Sequence, residues 1–166
     1  MKAHIDFETR SALDLTEVGL HNYARHAATD VWCMAWAIGN DEPQLWQPGE
    51  PLPEDLIEHV AVGEEVHAWN AGFEFDIWNE ICARYGFPLL KAEQMFCTMS
   101  MANAMSLPGS MENAARALGV DFKKDTEGRA LMLRMCRPRS RPGVTPIVWW
   151  NEPEKMARLG EYCKQD

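Results

Sequence analysis

The run Val31-Trp-Cys-Met-Ala-Trp-Ala-Ile38 contains no charged side chain and is too apolar for the exposed edge of a sheet. It therefore predicts an interior strand. Gly39-Asn40-Asp41 closes it and predicts a hairpin into a short strand around Gln44 to Gln47. Before it, Lys2 to Phe7 is another apolar, β-compatible run, followed by an irregular stretch. Pro51 and Pro53 open a helix through about Val60, with Glu54 and Asp55 in the first turn, where the helix dipole favours acids. Glu65 to Trp69 is strand-like, Asn70-Ala71-Gly72 turns the chain into a helix from Phe73 to about Tyr85, and Gln94 to Cys97 is strand-like again. Three strands followed by alternating helix and strand predict an α/β domain with a mixed sheet.

The second half is mostly helical. Ser110 caps a helix reaching about Leu118 and stopped at Gly119, and a second helix spans Thr126 to Met135. Arg137 to Pro146 is a Pro-, Arg- and Gly-rich loop, and a last helix starts near Pro153. With 166 residues, 46% of them apolar and 25% charged, the chain suits one domain with a real core. No stretch approaches the roughly 18–20 apolar residues of a membrane helix. Cys33, Cys82, Cys97, Cys136 and Cys163 form no C-x-x-C pair, which argues against a disulfide framework or a thiolate zinc site and suits a reducing compartment. The five histidines lack H-x-x-x-H spacing, and no P-loop or dinucleotide fingerprint is present.

A net charge of −9 is unusual for a nucleic-acid binder, but the charge is uneven. Lys123 to Arg141 holds seven cations against Asp125 and Glu127, a local +5 that leaves −14 on the rest. Such a segment fits either a phosphate-bearing ligand beside an acidic, metal-dependent site or a solvated loop.

Three carboxylate motifs carry chemistry. Asp6 and Glu8, two apart in a strand, share a face. Paired acids in an apolar strand are tolerable mainly beside a cation, and oxygen ligands select Mg²⁺ or Mn²⁺; on a solvent face the same pair means nothing. The second motif is Asn70-Ala71-Gly72-Phe73-Glu74-Phe75-Asp76. At about 100° per residue, Glu74 falls inside the stripe of Phe73, Ile77, Ile81 and Trp78, whereas Asp76 falls on the polar side with Glu80. Glu74 is either a ligand or a favourable charge at a helix N-terminus. The third is Tyr162-Cys-Lys-Gln-Asp166, where Asp166 shares the apolar face of the last helix with Tyr162 and Cys163, unless it is a solvated terminal acid.

Together, D-x-E in the first strand, N-x-x-F-[D/E] at a strand–helix turn and Y-x-x-x-D on the last helix resemble the 3′–5′ exonucleases of the DEDD superfamily, in its tyrosine-containing (DEDDy) form. His67-Ala-Trp-Asn-Ala-Gly-Phe-Glu74, Cys97-Thr-Met99, Leu107-Pro-Gly-Ser110, Leu118-Gly119 and Lys124-Asp125 look like the proofreading domain of bacteriophage-type family A DNA polymerases. One departure is Glu74, where the superfamily usually has Asp.

The resemblance implies a ribonuclease H-like fold, with a five-stranded mixed sheet whose second strand is antiparallel. It implies two divalent cations, Mg²⁺ or Mn²⁺, held by Asp6, Glu8, Glu74 and Asp166, with Tyr162 orienting the attacking water. The 3′ end of single-stranded DNA would be seated by Phe7, Thr9, Asn70 and Phe73 and its phosphates met by Arg137 and Arg139. It further implies a monomeric domain that forms the amino-terminal part of a longer polymerase chain, in the cytoplasm of a bacterial or phage-infected cell. An exoribonuclease, or a catalytically weak nucleic-acid-binding or structural domain of a polymerase, would carry the same motifs.

Overall fold

A computed structural model describes residues 1–120 and 125–165; Lys123, Lys124 and Asp166 lie outside the described residues. Five strands, β1 (Lys2–Arg10), β2 (Asp30–Ile38), β3 (Gln44–Trp46), β4 (Glu65–Ala68) and β5 (Met95–Cys97), form one sheet in the order β3-β2-β1-β4-β5. β2 is antiparallel to β1 and β3, whereas β4 is parallel to β1 and β5. The expected mixed five-stranded sheet with an antiparallel second strand is therefore present. Seven helices flank it among the described residues: α1 (Leu15–Arg25), α2 (Glu54–Ala61), α3 (Ala71–Glu80), α4 (Thr98–Ala104), α5 (Met111–Ala117), α6 (Thr126–Met135) and α7 (Pro153–Gln165).

Both faces of the sheet are covered, which is why β2 reads as a continuous apolar run. Ala3, Ile5 and Phe7 of β1 join Met34 and Trp36 of β2 under α1, α2 and α3. Trp32, Cys33 and Ala35 face the other way, under Met135 of α6 and Leu159, Tyr162 and Cys163 of α7. Strict alternation fails at one point. Glu8 lies opposite Cys33 but Thr9 lies opposite Val31, so Trp32 is the extra residue of a bulge and points to the same side as Cys33.

Four elements, β1, α1, α3 and α4, depart from the sequence reading. The stretch after β1 is not irregular: β1 runs on to Arg10, and α1 follows, capped by Asp14, whose carboxylate accepts from Thr16 N at 2.9 Å. Gly19, at φ 75° and ψ 160°, interrupts the helical path there, so the apolar spacing is broken. The helix expected from Phe73 to Tyr85 begins earlier and ends at Glu80, with a 3₁₀ turn over Cys82–Tyr85. α4 follows β5 directly and had no separate signal. No helix among the described residues is long and apolar enough to cross a membrane.

Candidate active site

β1 pairs with β4 only from Lys2 to His4, so its C-terminal half has no strand partner on that side among the described residues. A crevice opens there, at the C-terminal ends of two parallel strands, where α/β sheets commonly bind ligands. Asp6 and Glu8 project from this half, and their cross-strand partners Ala35 and Cys33 are small. Small partners let α7 approach, and Gly160 helps, because a methyl group there would press into Leu45 of β3. Asp6 is half-buried and Glu8 is only 7% exposed.

The third acid comes from the turn after β4. That turn is held by the start of α4: Thr98 Oγ1 donates to Ala68 O at 3.0 Å and Met99 N to Trp69 O at 3.0 Å. Asn70 occupies the N-cap position of α3 and is exposed, with no side-chain capping bond. Its carbonyl accepts from Phe73 N at 2.8 Å. Glu74 then falls in the first turn, 5% exposed, whereas Asp76 is half-buried, as the helical wheel predicts.

Among the described residues, Glu74 Oε2 is buried with no hydrogen-bond partner. Burial first, and then the negative charge of Asp6, push its carboxyl up to about 8. A buried, partnerless oxygen beside a second acid is a place where a hard cation would be favourable, and the all-oxygen donor set fits Mg²⁺ or Mn²⁺. Among the described residues no three ligand-type side chains close on one ion position. The expected fourth ligand, Asp166, is outside the described residues.

α7 brings Tyr162, 8% exposed, to the same cleft as Asp6 and Glu8. Its neighbour Cys163 donates from Sγ toward Asp6, 3.5 Å to Oδ2 and 3.6 Å to the main-chain oxygen. The Cys33 thiol, burial and Asp6 all hold Cys163 well above the usual thiol range, so it stays a neutral donor. α6 is clamped on α7 by Asp125, which caps α6 through Gly128 N at 2.8 Å and pairs with Arg158. Gly128 permits the close approach, since a Cβ there would collide with the Tyr162 ring.

The cleft holds about 390 Å³ and takes walls from both faces of the sheet. Phe7, Thr9 and Phe73 line it, with the Thr9 hydroxyl 2.9 Å from that of Tyr23 and the Phe73 and Tyr23 rings 6.5 Å apart. Leu13, Asp14, Leu15 and Thr16, at the start of α1, form a rim that the sequence reading missed; the Asp14-Leu-Thr16 capping pattern was its one available signal. Arg137 also lines the cleft and pairs with Asp14 at 2.9 Å. Arg139 is not among the residues lining the cleft: it pairs with Glu152 at 3.2 Å and lies 5.0 Å from the Trp150 ring. Asn70 is likewise not a lining residue.

No family model matches the chain. It is similar to a DNA polymerase of Bacillus phage SP02, with 29% identity over 169 residues. The match covers 98% of this chain and 26% of that protein, so the chain spans about a quarter of the relative's length.

Proposed function

We propose that the chain is a 3′–5′ exonuclease of the DEDDy type with a ribonuclease H-like fold, removing 5′-mononucleotides from the 3′ end of single-stranded DNA. The observation that carries this reading is Glu74, a buried carboxylate with one oxygen, Oε2, that has no hydrogen-bond partner among the described residues, drawn from α3 and raised in pKa by burial and by Asp6 of β1. The sheet order, with β2 antiparallel, supports the fold assignment. Similarity to a phage DNA polymerase supports proofreading within a longer chain as the role.

In this reading Asp6, Glu8 and Glu74, with Asp166, would hold two divalent cations, Mg²⁺ or Mn²⁺. Those ions, when bound, supply an activated water and stabilisation of the departing 3′ oxygen. The protein's own part is positioning. The Tyr162 hydroxyl, fixed by the α6–α7 contact, orients the attacking water and does not need to act as a strong base. Phe73, braced by Tyr23, offers an aromatic face to the terminal base; stacking is worth roughly 1–3 kcal/mol and tolerates any base. Thr9 and the β1 backbone near Phe7 seat the sugar. The apolar packing behind Glu74 excludes bulk water and strengthens the field of the acids.

The test is incubation with end-labelled single-stranded DNA and RNA in Mg²⁺, Mn²⁺ or EDTA. The expected result is a ladder shortening from the 3′ end, abolished by EDTA and by Asp6→Ala/Glu8→Ala. A purified double variant that digests DNA as fast as the parent would exclude this site.

A further inference from the structure

Of the three described acids of the site, Asp6 is the one with room to turn. Glu8 and Glu74 are buried, whereas Asp6 is half-buried and opens on the cleft. Asp6 and Glu74 repel each other, and repulsion favours any rotamer that swings the Asp6 carboxylate away from its neighbours. That is the wrong direction for sharing a cation. We propose that Cys163 is a positioning residue of this site: its thiol donates to Asp6 and holds the carboxylate in the orientation that receives a divalent cation. The proposal rests on the exonuclease reading above and adds to it a residue at an unspecified position of the Y-x-x-x-D motif.

The geometry is specific. Cys163 Sγ lies 3.5 Å from Asp6 Oδ2 and 3.6 Å from the Asp6 main-chain oxygen, so one thiol ties both the carboxylate and the backbone of β1 to α7. The thiol is itself fixed. Cys163 is 1% exposed, packed with Cys33, Ala35 and Leu159, and the Cys33 thiol is its hydrogen-bonding neighbour. Asp6 and Tyr162 line the cleft, and Cys163 is not among the lining residues. It therefore meets Asp6 from the packed side and leaves the cleft to the ion and the water. Tyr162 stands one residue earlier on α7, so a single helix sets both the acid and the water-orienting hydroxyl.

The type of donor matters. A lysine or arginine at this place would cancel the charge of Asp6 and compete with the cation. A thiol is a weak, neutral donor, and it takes one of the roughly four lone-pair directions of a carboxylate. It orients the acid without neutralising it. As a soft sulfur donor, Cys163 does not itself suit Mg²⁺.

The experiment uses the full chain with Cys163→Ala and Cys163→Ser, both checked by urea unfolding. The two variants leave nearly the same space, so lost packing weakens both alike, and only the serine keeps a donor. Binding of Mn²⁺ is read without DNA, from the electron paramagnetic resonance signal of the free ion. Cys163→Ala should raise the Kd about tenfold, the lower end of the loss when a group that orients a metal ligand is removed, and Cys163→Ser should recover most of it. In hydrolysis assays the metal concentration for half-maximal rate should rise in parallel in Cys163→Ala, with KM for DNA unchanged and the rate restored at saturating Mn²⁺. The bond has its own signature: the infrared S–H band that Cys163→Ala removes should shift when Mg²⁺ is added to the parent, because the cation draws charge from the acceptor. An Mn²⁺ affinity that is equal in parent and variants or weakened equally in both variants, or an S–H band that ignores Mg²⁺, overturns the positioning role and leaves the exonuclease reading to stand on hydrolysis by the parent. Cys163-dependent Mn²⁺ binding in a parent that does not digest DNA does the reverse.

Discussion

The face of the sheet under α1, α2 and α3 fully buries Trp46, Trp78, Leu56 and Ile77, whereas the opposite face is closed over Trp32, Met135 and Leu159 by α6 and α7. The first has the larger apolar core, with polar ties of its own such as the Trp78 bond to Pro88 O. The second is thinner and leans on individual ties: the Asp125–Arg158 pair, the Trp32 bond to Met135 O and the close contact at Gly128. The candidate site draws from both. Glu74 is set by the thick core, and Tyr162 by the thin one. In physical terms, Glu74 sits in a well-filled core, and Tyr162 sits where a few side chains decide its place.

The largest difference should appear in stability. Trp78→Ala removes a fully buried ring and its 2.7 Å bond to Pro88 O, and should lower unfolding stability by about 3–5 kcal/mol in urea titrations. Leu159→Ala should fall near the bottom of the about 2–5 kcal/mol range, because a thin layer closes more readily over the space left. Equal losses would mean that the two faces are equally consolidated.

Next in size is Glu74→Gln, which should reduce hydrolysis by at least about 100-fold, the scale of losing one preorganised electrostatic partner, while Asp76→Asn leaves most of it. The reverse ranking would move the ligand to Asp76. Stability without metal should change in the opposite sense. A carboxyl held at about 8 when folded, against 4.5 when free, binds an extra proton in the folded state between those values. Metal-free stability is therefore full below about 4.5, declines as pH rises toward 8, and is lower by a few kcal/mol above that, on the order of the shift. Glu74→Gln should flatten that decline, and a pH series of thermal midpoints in EDTA reads it directly.

That contrast also explains what the sequence could tell. β2 was legible because both of its faces are covered, and Glu74 was preferred over Asp76 because an acid inside an apolar stripe breaks periodicity. α1 was not legible, since Gly19 breaks its helical path and its apolar residues fit no single stripe. The Arg137–Asp14 and Cys163–Asp6 contacts join residues 123 and 157 positions apart and leave no local pattern. The segment Arg137 to Pro146 was legible as a loop by composition, but its closure by Arg139 N on Val148 O and the place of Arg137 in the cleft depend on where α6 ends in space.

Gly128→Ala tests the thin face where it meets the chemistry. Helix propensity favours alanine by about 1 kcal/mol, and overpacking against the Tyr162 ring and the Asp125 carboxylate opposes it by about 1–3 kcal/mol. A net loss of up to about 2 kcal/mol is expected, with kcat reduced about tenfold as the tyrosine is pushed from the cleft. A variant as stable and as active as the parent would show that α6 and α7 separate freely and that Tyr162 is not fixed by this contact.

The smallest effect should come from Arg158→Ala. Arg158 and Asp125 are partly exposed, and pairs of that kind contribute little to stability on their own, so the urea midpoint should hardly move. Position is another matter, because Arg158 stands one turn before Tyr162 on α7 and its partner caps α6. If the pair sets how α7 lies on α6, kcat should fall by up to about fivefold with KM unchanged. Asp125→Asn should behave alike, since an asparagine keeps the cap to Gly128 N and loses only the charge. The same contact gives a pH signature. The Arg158 bond and the Gly128 bond hold the Asp125 carboxyl below its usual value, so the clamp is intact above about 3.8 and is lost only as pH falls through the lowered value. Over the neutral range kcat in the parent should therefore be insensitive to this pair, and any kcat change in Arg158→Ala should be independent of pH there. A pH-dependent loss, or a KM effect in place of a kcat effect, would mean that Arg158 meets the strand itself and does not act through Tyr162.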